Sequence, residues 1–279
     1  MVKIGNYNTL EIVKIVDFGV YLDGGNGVEI LMPTRYVKEV PHVGDMIDVF
    51  VYTDSEDRLI ATTEHPYLTV GEFGYLRVVQ VNNVGAFLDW GLPKDLLVPF
   101  REQKMRMAPE RDYLVYVYLD DNSKRIVASA KIDKFLGNKM PEYKRGDKVN
   151  IIVYQRTDIG YKVIVDNMYS GLLYSNEVFR PIVIGEKVSA YVKTVRDDGK
   201  IDITLSGFAG DRVQSLADNI YDWMLSSGGE VSLCDSSSPE EIKNTLSCSK
   251  KDFKKAVGML FKNRKIELFP NGMRIVKQE

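Results

Sequence analysis

The chain repeats itself three times, and that limits what it can fold into more than any single motif does. Asp17-Phe18-Gly19-Val20-Tyr21-Leu22-Asp23 aligns with Asn83-Val84-Gly85-Ala86-Phe87-Leu88-Asp89, with five of seven positions identical or similar. The register continues without a gap: Pro33 lies twelve residues after Tyr21, and Pro99 lies twelve after Phe87. EILMP (29–33) therefore stands over DLLVP (95–99), and SGLLY (170–174) falls in the same register after Ile159-Gly160-Tyr161. The copies end alike, in DRLIAT (57–62), KRIVAS (124–129) and GKIDIT (199–204). Phe18 to Val84 is 66 residues and Arg58 to Arg125 is 67, while Val84 to Ile159 and Arg125 to Lys200 are both 75. Each copy must therefore encode one small folding unit, and the units follow one another along the chain.

The unit is β. In copy one, residues 10–16 are apolar and β-branched, 19–22 continue them past a glycine, and 28–32 follow the Gly24-Gly25-Asn26-Gly27 turn. Met46 to Thr53 alternates, and Leu59 to Thr62 closes the copy. Five short strands separated by glycine turns predict a small closed barrel. Gly19, Gly85 and Gly160 interrupt strand patterns, where glycine marks a bulge or a sharp coil of the sheet. Residues 35–44 read as the longer connection before strand four. The expected organisation is three tandem five-stranded barrels of the OB type, at 1–66, 67–140 and 141–210, and a different module at 211–279. The fold class is mainly β with a C-terminal α+β unit.

In that last module the period lengthens from two towards 3.6. Val213, Leu216, Ile220, Trp223 and Met224 form an apolar stripe. Ser238-Pro239-Glu240-Glu241 is a capping box with proline at the first helical position, and Ser249-Lys250-Lys251-Asp252 starts another helix. The latter helix is expected to place Phe253, Ala256, Val257, Leu260 and Phe261 on one face and Lys251, Lys255 and Lys262 on the other. Pro270-Asn271-Gly272 then predicts a hairpin between strands at 265–269 and 273–276. Three helices and a hairpin make a winged helix, whose third helix is the one that enters a groove in helix-turn-helix relatives.

Charge adds a constraint. The chain carries a formal net charge of −2, so bulk attraction does not bring it to nucleic acid and any such site must be a local patch. From Pro239 onward, however, ten Lys and Arg face five Asp and Glu. That excess points to an anionic partner or to a solvated helical surface. The two cysteines, Cys234 and Cys248, form no CxxC, so neither a disulfide framework nor a zinc site is expected, and a cytoplasmic setting is. The first residues lack the apolar core of a signal peptide, and no apolar run reaches membrane-spanning length.

The string DFGVYLD…ILMP…VGDMIDVFVY…DRLIATTE resembles the S-one RNA-binding domain, named after the ribosomal protein that carries several. The resemblance covers residues 5–206 and implies OB barrels that bind single-stranded RNA on one face. It implies that Phe18 and Tyr21 are stacking aromatics; Phe87 holds the second such position in copy two, where Val84 holds the first. Copy three has Ile159 and Lys162 there, with Tyr161 between. The family's histidine position holds Pro33, Pro99 and Tyr174, and its late basic position holds Arg58, Arg125 and Lys200. An acid four residues before the base is kept as Asp54 and Asp121, and is Arg196 in copy three. An aromatic beside a strand glycine serves equally as barrel core, and a base before the last strand serves equally as a solvated hairpin residue. In the winged helix the candidate contacts are Lys251, Lys255, Lys262, Arg264 and Lys265; a protein-docking role stands beside nucleic-acid binding. Three such barrels ending in LSCSKKDFKKAVGMLFKNRKIEL (246–268) resemble, over essentially the whole chain, the conserved virulence factor B family of bacteria. That resemblance implies a cytoplasmic RNA-binding protein affecting expression of other genes, virulence genes among them in some species.

No enzyme is read from the sequence. His42 and His65 lie in expected loops beside prolines, no phosphate-loop motif is present, and no cofactor is called for. Asp17-Phe18-Gly19 echoes the kinase magnesium tripeptide, but sixteen residues leave no room for the upstream elements a kinase needs. Two alternatives stay open: a metal-dependent nuclease or nuclease accessory using Asp120-Asp121 or Asp197-Asp198, and a protein-interaction adaptor. The expected partner is single-stranded RNA, with DNA as the variant, and no membrane.

Overall fold

The computed structural model describes residues 2–137, 139–175, 178, 180–205 and 209–276. The first copy forms β1 (Tyr7–Val16), β2 (Gly19–Asp23), β3 (Glu29–Pro33), β4 (Met46–Thr53) and β5 (Leu59–Thr62). These close into a barrel in the order β1-β2-β3-β5-β4. The second copy supplies β6 (Phe73–Val81), β7 (Gly85–Leu88), β8 (Leu96–Pro99), β9 (Asp112–Leu119) and β10 (Ile126–Ser129). The third supplies β11 (Lys148–Thr157), β12 (Gly160–Val165), β13 (Tyr169–Tyr174), β14 (Lys187–Val195) and β15 (Ile201–Thr204), again a closed barrel.

Barrels one and three close through a parallel pairing, Leu31 with Ile60 in one and residues 171–173 with 201–203 in the other. The middle copy keeps the same strand order, β10-β9-β6-β7-β8, but no ladder joins β8 to β10 although they lie side by side. It is a five-stranded barrel with an open seam.

Alternation decides which side chains fill each barrel. Val20, Leu22, Ile30 and Met32 point inward and are buried, while Tyr21 and Leu31 point outward. The bulge expected at the glycines sits elsewhere. Register shifts occur one strand earlier, between Ile12 and Lys14, Val78 and Gln80, and Val153 and Gln155, so that Val13, Val79 and Tyr154 are the extra residues that coil the first strand. The glycines answer a different need. A Cβ on Gly19 would stand 2.2 Å from the Met32 carbonyl oxygen, on Gly85 2.3 Å from that of Val98, and on Gly160 2.1 Å from that of Leu173. No side chain fits where these strands approach.

The barrels are fused by their outer faces. In β4 every residue from Val49 to Thr53 is buried, because the outward Phe50 and Tyr52 pack on Trp90 of the middle barrel at ring distances of 5.6 and 6.5 Å. The Trp90 indole donates to the Leu68 carbonyl at 2.6 Å, so its polar edge is satisfied in the core. On the far side, Phe73, Ile132, Ile152 and Ile164 form a buried cluster between barrels two and three, joined by Phe135 and Tyr154. There the Phe73 amide donates to Asn167 Oδ1 at 3.2 Å and the Tyr75 hydroxyl to the Tyr154 carbonyl at 3.3 Å.

The C-terminal unit is a winged helix with α1 (Ala209–Ser226), α2 (Pro239–Leu246), α3 (Lys250–Lys262) and the hairpin β17 (Ile266–Phe269) and β18 (Gly272–Ile275). Ser238 and Ser249 cap α2 and α3, accepting from the amides of Glu241 at 3.1 Å and Asp252 at 3.2 Å. A two-residue strand that periodicity does not announce, β16 (Glu230–Val231), pairs with β18 and completes the wing. Phe253, Ala256, Val257 and Leu260 are buried as expected, but Phe261 is 53% exposed. At 100° per residue it sits beyond the edge of the buried stripe, nearer Lys254 and Gly258.

Candidate nucleic-acid interface

The repeat places the same outward row on every barrel. In barrel one, Lys14 pairs with Tyr21, Tyr21 with Leu31 and Leu31 with Ile60. In barrel two, Gln80 pairs with Phe87 and Phe87 with Leu97, with Val127 across the seam. In barrel three, Gln155 pairs with Lys162, Lys162 with Leu172 and Leu172 with Asp202. The first two rows present an aromatic ring on an aliphatic floor. In the third, Lys162 replaces the ring and Asp202 the last aliphatic residue.

Phe18 sits at the turn before β2, 58% exposed, and meets Tyr21 edge to face at 6.4 Å between ring centres. The Lys14 ammonium lies 5.6 Å from the Tyr21 ring centre, within cation–π reach. Phe87 is half-buried, while Val84, at Phe18's place, is exposed and aliphatic. Tyr161 falls on the other face: it is in register with Val20 and Ala86, both buried, and packs against the core of barrel three. Lys162 occupies Tyr21's place instead. Tyr174 does reach the outer face. Its hydroxyl accepts from the Arg196 guanidinium at 2.8 Å, and the Lys193 ammonium lies 5.9 Å from its ring centre.

The late basic residues are all tied to acids. Arg58 binds Asp54 through Nε at 2.9 Å and through its terminal nitrogen at 2.8 Å. Burial pushes the Asp54 carboxyl up, but hydrogen bonds from the Arg58 guanidinium and from the Arg58 and Glu56 amides outweigh it and hold it below the ordinary range. Lys200 pairs with Asp198 at 2.8 Å. Arg125 reaches across to barrel one, where its guanidinium bonds Asp57, and that bond holds the Asp57 carboxyl low. The hairpins also correct one correspondence. The Asp54 amide donates to the Arg58 carbonyl, that of Asp120 to Arg125, and that of Arg196 to Lys200. Asp120, not Asp121, is therefore the counterpart of Asp54, because the middle hairpin is one residue longer. Asp120 accepts from the Ser123 hydroxyl at 2.7 Å and its amide at 3.1 Å, so it serves the turn.

Between barrels one and two the row becomes a groove of about 420 Å³. Phe87, Leu97 and Val127 form its floor, and Ser55 and Asp57 from the barrel-one hairpin form its wall. Lys94 fixes that wall. Its ammonium donates to the Thr53 carbonyl at 3.0 Å and the Asp54 carbonyl at 2.6 Å, and burial holds it below the ordinary lysine range. Sequence reasoning passed over Lys14, Gln80, Lys94 and the three leucines. The third letter of EILMP, DLLVP and SGLLY, always leucine and always beside the aromatic position, carried that signal.

On the winged helix, Lys251, Lys255 and Lys262 are exposed along one side of α3, with no ion-pair partner among the described residues. Arg264 and Lys265 follow α3; Lys265 lies 5.2 Å from the Tyr221 ring centre, and Arg264 has a left-handed backbone at φ 55°. A Cβ on Gly258 would meet nothing within 4 Å, so this face is open. Among the described residues no three His, Cys, Asp or Glu side chains gather as a metal site would require, and no helix is long and apolar enough to cross a membrane.

Residues 4–64 match the model of the S1 domain, and residues 218–275 match that of the CvfB-like winged helix domain. The chain is similar to the uncharacterized protein YitL of Bacillus subtilis, 27% identical over 273 residues that cover 94% of this chain and 90% of the relative. It is also similar to conserved virulence factor B of Staphylococcus saprophyticus, 25% identical with 95% and 92% covered. The protein of that name from Staphylococcus aureus is 23% identical, with 99% and 95% covered. A solved structure, described as a multidomain protein with nucleic acid binding domains from Streptococcus pneumoniae, aligns over 98% of both chains at 24% identity and a TM-score of 0.41.

Proposed function

We propose that this chain, in which residues 4–64 match the S1 domain and residues 218–275 the CvfB-like winged helix domain, belongs with the conserved virulence factor B proteins it is similar to, binds single-stranded RNA and acts after transcription on the expression of other genes. The observation that carries this reading is the outward row repeated on successive barrels, with exposed or half-buried rings at Phe18, Tyr21 and Phe87. Bases of any sequence stack on such rings, and nearby cations take the phosphates. Barrels one and two supply the stacking surface. Barrel three, with Lys162, Tyr174 and Arg196 on its face, supplies backbone contact, and the exposed lysines of α3 offer a second basic surface. The setting is the cytoplasm, and the chemistry is binding, with Asp120 and Asp198 committed to their own hairpins.

Fluorescence anisotropy of the full chain with a labelled, unstructured RNA of about twenty nucleotides tests this. The expected result is saturable binding that weakens steeply as salt rises, with duplex RNA bound less well. Absence of binding at low salt would overturn the reading. Preference for a structureless DNA of the same sequence would move the partner to DNA.

A further inference from the structure

The groove between barrels one and two holds a group that neither stacking nor phosphate contact uses. Asp95 stands just before β8, on the same side as Leu97, and its carboxyl lines the groove. It is half-buried, and no hydrogen-bond donor reaches it among the described residues. Burial, and then the neighbouring Asp89 carboxylate, hold its carboxyl above the ordinary range. Asp89 itself is satisfied, accepting from the Gly91 amide at 2.9 Å. The two Asp95 oxygens are open to the groove beside an aromatic floor, where the donors of a ligand can take the place of water. Gln80 borders the same floor from the opposite strand, since it pairs with Phe87 from β6 while Asp95 leads into β8 on the other side. The wall from barrel one, held by Lys94 and by the Arg125–Asp57 pair, turns this face from a flat platform into a groove.

We propose that this groove is a selective pocket for one guanine of the bound strand, with the ring stacked on Phe87 and its Watson–Crick edge read by Asp95. The proposal rests on the RNA-binding reading above and adds a base preference to it. Guanine alone among the four RNA bases offers two adjacent N–H donors, from N1 and the 2-amino group, which match the two carboxylate oxygens. Adenine and cytosine offer a single amino group on that edge, and uracil a single imino N–H. The Gln80 amide, across Phe87 from Asp95, provides a donor for the guanine N7 and O6 acceptors on the Hoogsteen side.

The test is anisotropy on the full chain with uridine oligomers carrying one central guanosine, inosine, adenosine or cytidine. Guanosine is expected to bind at least about fivefold tighter than adenosine, the lower end of what one bidentate contact discriminates. Inosine, which lacks the 2-amino group, should fall between. Asp95→Asn should remove the preference while leaving the affinity for the plain uridine oligomer unchanged. Equal binding of all four oligomers, or a guanosine preference that survives in Asp95→Asn, would overturn the pocket and leave the general RNA-binding reading standing. Failure to bind any oligomer would remove that reading and the pocket together. The inosine comparison changes only the ligand, so it holds whatever the variant does to folding.

Discussion

At the scale of single residues, the parity of a strand separates an outward side chain from a core one. Tyr21 and Tyr161 look equivalent in the sequence, each an aromatic near a strand glycine. One position decides their fates: Tyr21 is two residues past Gly19 and faces out, whereas Tyr161 is one past Gly160 and packs on the core. Phe18 is 58% exposed and meets only the outward Tyr21 ring among the aromatic contacts of the described residues. Phe18→Ala is expected to weaken single-stranded RNA binding by about 1–3 kcal/mol, the usual worth of one stacked base. Its melting temperature should stay within about 1 °C of wild type, since little burial is lost. A large melting shift with unchanged affinity would assign the ring to the barrel instead.

At the scale of the element, short connections carry buried charge that the strand pattern does not reveal. After β8 a turn of 3₁₀ helix, Phe100–Glu102, places the buried Glu102 against Ser129 at 2.6 Å and Lys134 at 3.1 Å. Burial raises the Glu102 carboxyl, but the bonds from Ser129 and Lys134 outweigh it and leave the group below the ordinary range. A carboxyl depressed in the folded state contributes stability that is fully present above its unfolded pKa of about 4.3 and is lost as pH falls through the folded value. Wild-type melting temperature should therefore fall more steeply below about pH 5 than that of Glu102→Gln, although the variant is less stable at neutral pH. Parallel acid profiles for the two proteins would show that Glu102 is not a source of the acid sensitivity.

Across the whole molecule, the barrels are not beads on a string. The outward residues of β4 that would be solvated in a lone barrel, Phe50 and Tyr52, are core because Trp90 covers them. Removing a buried aromatic of this kind costs about 3–5 kcal/mol. Trp90→Ala is expected to lower protection from hydrogen exchange in β4 as well as in the middle barrel. Loss confined to the middle barrel would mean that the two fold as separate units. The same junction builds the groove, so the Asp57–Arg125 pair and the Lys94 staple shape the proposed binding surface as well as joining two barrels.

The sequence alone determined the three repeats, their five strands, and the helix caps and hairpin of the winged helix. All of these rest on local pattern: alternation of two, turn residues, and capping spacing survive in a string of letters because each concerns neighbours along the chain. Tertiary structure decided the rest. The seam left open between β8 and β10, the partner of Arg125 in another barrel, the groove that holds Asp95, and the two-residue strand that completes the wing depend on which surfaces meet. Residues such as Asp57 and Arg125, or Phe50 and Trp90, lie too far apart in sequence for any period to connect them. Only the burial of one barrel's outer face against the next brings them within bonding distance.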